Sequence, residues 1–181
     1  MLEKKQAITI NMLQANLYSL PIIIFITIIM MASYLFIWGK TYFLAEFFQL
    51  RLSLFIPILI GGFVLHELIH VMSYHFLGKV PFSNLKIGFK LKSITPYAYC
   101  SQPILLSAYR LSALMPGIIL GIIPAIISLI TGNTFIFILA VIFLIAAGGD
   151  LLIIWMLRKI PLNYLVQDHP EKAGCIIIGK K

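Results

Sequence analysis

Charge is what this chain has least of. Asp, Glu, Lys and Arg make up 11% of its 181 residues, where a soluble domain carries about a quarter. That scarcity, beside a hydrophobic share of 61%, excludes an ordinary soluble domain and places the chain in the bilayer class. Acidic residues are scarcer still, six against fourteen basic ones, for a formal charge of +8. The basic residues sit between apolar blocks and form no separate basic domain, so topology explains them better than nucleic acid does. Cysteine is nearly missing: Cys100 and Cys175 make no disulfide framework and have no paired metal spacing. The length allows one domain, residues 1–181.

Long apolar runs are present in quantity. Four read as spans, at about 18–38, 53–77, 105–130 and 135–157, each at least the roughly 20 residues needed to cross the hydrocarbon core. The first is too long for a signal peptide and no small-residue cleavage site follows, so a retained anchor is expected. Met1–Asn16, with Leu2, Ile8, Met12 and Leu13, reads as an interfacial helix. Lys and Arg set the orientation. Lys40 and Arg51 fall on one side, while Lys79, Lys86, Lys90, Lys92, Arg110, Arg158 and the terminal lysines fall on the other. Both termini and the long middle loop are therefore expected in the cytoplasm, with both cysteines reduced.

Ionisable residues inside the spans are few. His66, Glu67 and His70 interrupt the second, and Asp150 lies in the fourth. Such groups cost about 2.5–3.5 kcal/mol at mid-membrane, which makes them functional candidates. His66 and His70, four apart, share a helix face, and Glu67 lies about 100° round from His66. This is the His-Glu-x-x-His arrangement of zinc peptidases: two imidazole ligands and a base for the water that zinc acidifies. A third ligand is needed. His75 is five residues beyond His70 and about 140° round, so it points away. Asp150 lies at the depth of His70, roughly 10 Å inside the same boundary, if both spans descend to the cytoplasm. Metal ligands are thus His66, His70 and Asp150, with Zn2+ as the ion and Glu67 as the catalytic base.

The loop 79–103 alternates Leu85, Ile87, Phe89 and Leu91 with Lys86, Gly88, Lys90 and Lys92. Period two predicts a strand, and with Tyr97 and Tyr99 a β-hairpin beside the metal. Its edge could take an extended substrate by strand addition, or the hairpin could only pack. In the tail, 158–181, Gly174–Ile178 reads as a short strand that pairs with the hairpin. Asp168 before His169-Pro170 reads as a turn-forming residue, which weighs against His169 as a metal ligand. Gly117 and Gly121 suit close helix packing, and Pro116 and Pro124 should bend the third span. The expected fold is an all-α membrane protein of four transmembrane helices with a short cytoplasmic β-hairpin between helices 2 and 3.

These residues resemble the bacterial "putative zincin peptidase" family of small membrane proteins and, more distantly, the site-two-protease class of intramembrane metalloproteases. The resemblance runs from about Gly61 to Cys175. It rests on His66-Glu67-Leu68-Ile69-His70, Pro96-Tyr97-Ala98-Tyr99-Cys100, Gly148-Gly149-Asp150-Leu151-Leu152 and Asp168-His169-Pro170. It implies His66, His70 and Asp150 as zinc ligands, Glu67 as general base, and a hairpin bordering the cleft. The Asn-Pro-Asp-Gly sequence usual in that class is replaced by Gly148-Gly149-Asp150-Leu151, so the asparagine that grips substrate there has no counterpart.

The expected function is a zinc-dependent intramembrane or membrane-surface endopeptidase, multi-pass in a bacterial plasma membrane. Its partners would be a membrane protein or peptide substrate and the lipid bilayer. The alternatives are an inactive metal-stabilised scaffold or chaperone, which needs no base beside an open coordination position, and a metal or proton transporter. A transporter would show internal repeats or several polar spans.

Overall fold

The computed structural model describes residues 6–93 and 95–180. Strand β1 (Gln6–Ile10) precedes the long helix α1 (Met12–Trp38), a short helix α2 (Lys40–Phe48) and the long helix α3 (Leu52–Gly78). Strands β2 (Leu85–Lys90), β3 (Thr95–Cys100) and β4 (Ile104–Leu105) follow. Helix α4 (Leu106–Pro116) continues through a π-helical segment, Gly117–Ile122, into α5 (Ile123–Thr131). Helices α6 (Thr134–Ala146) and α7 (Gly148–Met156) lead to β5 (Tyr164–Asp168) and β6 (Ala173–Lys180).

Four helical stretches are long and apolar enough to cross a membrane: Met12–Trp38, Leu52–Gly78, Leu106–Thr131 and Thr134–Met156. Large apolar side chains such as Phe25, Ile60 and Ile130 are exposed on them, as lipid contact requires. Local chemistry sets their ends. Asn11 and Asn133 cap α1 and α6 by accepting from the Leu13 and Ile136 amides, and Gly132, at φ 75°, ends α5. Tyr34 ties α1 to that turn by donating to the Gly132 carbonyl and bonding the Thr134 hydroxyl.

The chain is mostly helical but not all-α. Two antiparallel sheets are present, a β2–β3 hairpin and a four-stranded sheet in the order β1-β6-β5-β4. Three expectations are overturned here. Residues 6–10 are a strand, not part of an interfacial helix, and α1 begins at Met12; residues 1–5 lie outside the described residues. The tail strand pairs with β1 and β5 rather than with the hairpin. Arg110 lies within α4, so the third span does carry a basic residue. Its guanidinium donates to the carbonyls of Leu157 and Ile160, where α7 has run out of intrahelical partners. Between Pro116 and Pro124, where a bend was expected, the helix widens into the π segment, whose Gly117 and Gly121 lie against Ala147 and Leu144.

The four-stranded sheet closes one end of the helix bundle. Val166, Cys175 and Ile177 pack with Val71 and Tyr74 of α3, Leu106 and Tyr109 of α4, and Leu157 after α7. Val71 follows His70 directly, so the apolar core of this end lies against the polar group described next.

Candidate metal centre

Helix α3 is largely exposed until its second half, where His66, Glu67 and His70 are all buried. The two imidazoles, one helical turn apart, have ring centroids 5.0 Å from each other. Helix α7 presents Asp150 to both. His66 Nε2 is 3.3 Å from Asp150 Oδ2, and His70 Nε2 is 3.4 Å from Asp150 Oδ1. One ligand atom from each residue lies within 4.8 Å of the other two, a grouping that could hold a metal ion.

The donor chemistry fits a cation. His70 Nδ1 is 3.1 Å from the Ser112 carbonyl, to which only a protonated Nδ1 can donate. A neutral ring would turn the Nε2 lone pair towards the Asp150 carboxylate, and two facing acceptors repel. Positive charge at Nε2 removes the repulsion, either a metal ion between the two groups or a second proton on the ring. A ring nitrogen that donates to a backbone carbonyl while the other faces the ligand group is the usual support of a metal-binding histidine. His66 Nδ1 is buried with no hydrogen-bond partner among the described residues.

Glu67 leaves the same helix towards the hairpin. The Ala98 amide of β3 donates to its carboxylate, and Oε2 is buried with no partner among the described residues. A cavity of about 460 Å3 opens here, lined by His66, Glu67, His70 and Asp150 and by β3. The edge of β3 that faces it is partly used. Ala98 sends its amide to Glu67, Cys100 sends its own to Asp168 Oδ2 at 2.7 Å, and Pro96 has none. The ladder bonds to β2 therefore belong to Tyr97 and Tyr99, by the alternation of an antiparallel pair.

Residues 59–165 match the protein family described as "Putative zincin peptidase". The chain belongs to that family. The matched stretch of this zincin-peptidase family member contains the whole His66–His70 turn, the hairpin and Asp150, and ends three residues before Asp168. No curated protein and no solved structure matches the chain.

The remaining histidines lie elsewhere. His75 Nδ1 is 2.8 Å from the Val80 carbonyl and its ring stacks on Phe82, just past the end of α3. His169 Nδ1 accepts from the amides of Glu171 and Lys172, so the histidine fixes the tail turn. Asp168 does not, against the sequence-based expectation. Its carboxylate turns inward and accepts from the Cys100 amide and from the Tyr109 hydroxyl, each at 2.7 Å. Burial pushes this carboxyl up to about 6, despite those two bonds. Burial likewise pushes the thiols of Cys100 and Cys175 up to about 11 and about 12. Sequence reasoning missed Asp168, Tyr109, Ala98 and Ser112 as neighbours of the site. For the last two the contacting atom is a backbone atom, which no residue pattern signals.

Proposed function

We propose that this protein is a zinc-dependent endopeptidase that cleaves a membrane protein or peptide within the bilayer or at its cytoplasmic edge. It would act as a single membrane-embedded domain in a bacterial plasma membrane, with both termini in the cytoplasm. In this reading His66, His70 and Asp150 hold the zinc and Glu67 is the general base. This reading likens the site to that of site-two-protease enzymes, with the hairpin bordering the cleft.

One observation carries the proposal. Two buried imidazoles converge on one carboxylate, and beside them a third buried group, Glu67, has an oxygen with no hydrogen-bond partner among the described residues. A site that only stabilised the fold would have no use for that unsatisfied carboxylate oxygen, which costs about 1–3 kcal/mol or more to bury.

Zinc held there would supply an acidified water and polarise a substrate carbonyl. The protein's own groups do the rest. Glu67 takes the proton of the attacking water as the new C–O bond forms, and returns it to the amine nitrogen as the C–N bond breaks. Asp150 balances positive charge, and the Ser112 carbonyl holds the His70 ring in one tautomer. An extended substrate lying along β3 would meet the carbonyls of Pro96 and Ala98, and could claim the Ala98 amide when Glu67 swings to the water.

The test is cleavage of a single-span model substrate in lipid vesicles by wild type and by Glu67→Gln. The expected loss is about 10²–10⁴-fold, the range for removing a positioned proton acceptor. Wild-type turnover by Glu67→Gln would overturn the proposal.

A further inference from the structure

We propose that Asp168, outside the helices and outside the family-matched stretch, is a positioning residue that fixes both supports of the candidate metal centre. The inference rests on the zinc-peptidase reading above.

The geometry has two arms. Oδ1 accepts from the Tyr109 hydroxyl on α4, and Ser112, three residues on and on the same face of that helix, offers the carbonyl that holds His70. Oδ2 accepts from the Cys100 amide on β3, and Ala98, two residues back on the same strand edge, offers the amide that holds Glu67. One carboxylate from β5 therefore sets where α4 and β3 stand, and through them how His70 and Glu67 are aimed.

The surroundings support this. Asp168 is buried, lines the cavity that holds the metal group, and is bonded by two neutral donors. It is not one of the grouped ligands. A carboxylate in such a place needs both donors to offset its desolvation, so moving either arm leaves an oxygen buried and unpaired. That makes the three-way junction of α4, β3 and β5 stiff where the site needs stiffness.

The experiment uses the full chain in lipid nanodiscs as wild type, Asp168→Ala, Asp168→Asn and Tyr109→Phe. Zinc affinity is measured by competition with a chelator, and amide hydrogen exchange is followed over residues 95–100. Asp168→Ala should weaken zinc binding about tenfold, the low end of the effect of losing a residue that orients ligands. It should also speed exchange at Ala98 and Cys100. Asp168→Asn should stay within about threefold of wild type, because its oxygen can accept from Cys100 while its NH2 donates to the Tyr109 oxygen. Tyr109→Phe removes one arm and should fall between, and it decides the matter if Asp168→Ala does not fold.

A residue that only stabilised the tail would lower the melting temperature and leave the zinc affinity of the folded chain unchanged. That result overturns the proposal, as does equal weakening by Asn and Ala. If wild type itself takes up no zinc, the zinc-peptidase reading fails, and the exchange data still judge the clamp: unchanged exchange in Asp168→Ala would refute it.

Discussion

Gly62 lies so close under the ring of Phe143 that a Cβ built on it would stand 2.1 Å from the Phe143 Cζ. Gly62 is one turn before His66, and Phe143 is on α6, the helix that leads to Asp150. The approach of α3 to α6, and through α6 to the start of α7, thus depends on an absent side chain. Gly62→Ala is expected to destabilise the fold by about 1–3 kcal/mol, the cost of overpacking, and to weaken zinc binding by parting His66 from Asp150. Adding Phe143→Leu should restore part of both. Melting temperature and zinc content of the single and double variants measure this; a Gly62→Ala protein that melts and binds as wild type does would refute it.

The direction of the β3 edge predicts a separation between folding and turnover. Ala98→Pro removes the amide that faces Glu67 but spares the ladder, which Tyr97 and Tyr99 make. Zinc content should hold while cleavage falls about tenfold, the worth of one hydrogen bond of ~1.4 kcal/mol. Tyr97→Pro should unfold the hairpin instead. Equal cleavage by Ala98→Pro and wild type would remove this edge from substrate binding.

The buried thiols change how topology should be tested. Cys100 and Cys175 are 1% and 0% exposed and carry raised pKa values, so they should resist thiol reagents on either side of a membrane. Introduced cysteines at exposed Thr131 and exposed Lys159 are better reporters, and Thr131→Cys spares the Asn133 cap. In intact cells an impermeant reagent should label position 131 and miss position 159. The reverse pattern would invert the proposed orientation.

Asp168 gives a pH dependence with a definite sign. Its carboxyl is raised from 3.8 to about 6 in the folded chain. The folded state therefore keeps this proton over a range in which the unfolded state has lost it. The associated stability is complete below about pH 4 and is lost as the pH rises through 6, about 3 kcal/mol at 1.36 kcal/mol per unit. Asp168→Asn has no such loss, so its melting temperature relative to wild type should rise between pH 4 and 7. Parallel curves would show that Asp168 does not titrate differently on folding.

The legible parts of this chain were the ones carried by local pattern. Four apolar runs are long enough to need a membrane, and the structure's four long helices follow them to within a few residues apart from the start of α1. Alternation from Leu85 marked β2, and the four-residue spacing of His66 and His70 marked one helix face. The sheet was not legible. Gln6–Ile10 is five residues long and unremarkable alone, and it becomes a strand because Ala173–Ile177 lies beside it from the far end of the chain. The partners of Arg110 were not legible either, because they are carbonyls left free only where α7 ends beside it. Asp168 was read as a turn residue because its donors, Cys100 and Tyr109, lie 68 and 59 positions away.

The central claim is that His66, His70 and Asp150 hold zinc while Glu67 acts on water. Its most direct test is zinc per chain, by elemental analysis, for wild type, His66→Ala, His70→Ala, Asp150→Ala and Glu67→Gln purified alike. Wild type and Glu67→Gln should carry close to one zinc each, and the three alanine variants should carry little, because each lost ligand leaves the ion too few protein donors. Full zinc occupancy in Asp150→Ala, or loss of zinc in Glu67→Gln to the level of the histidine variants, would contradict the account.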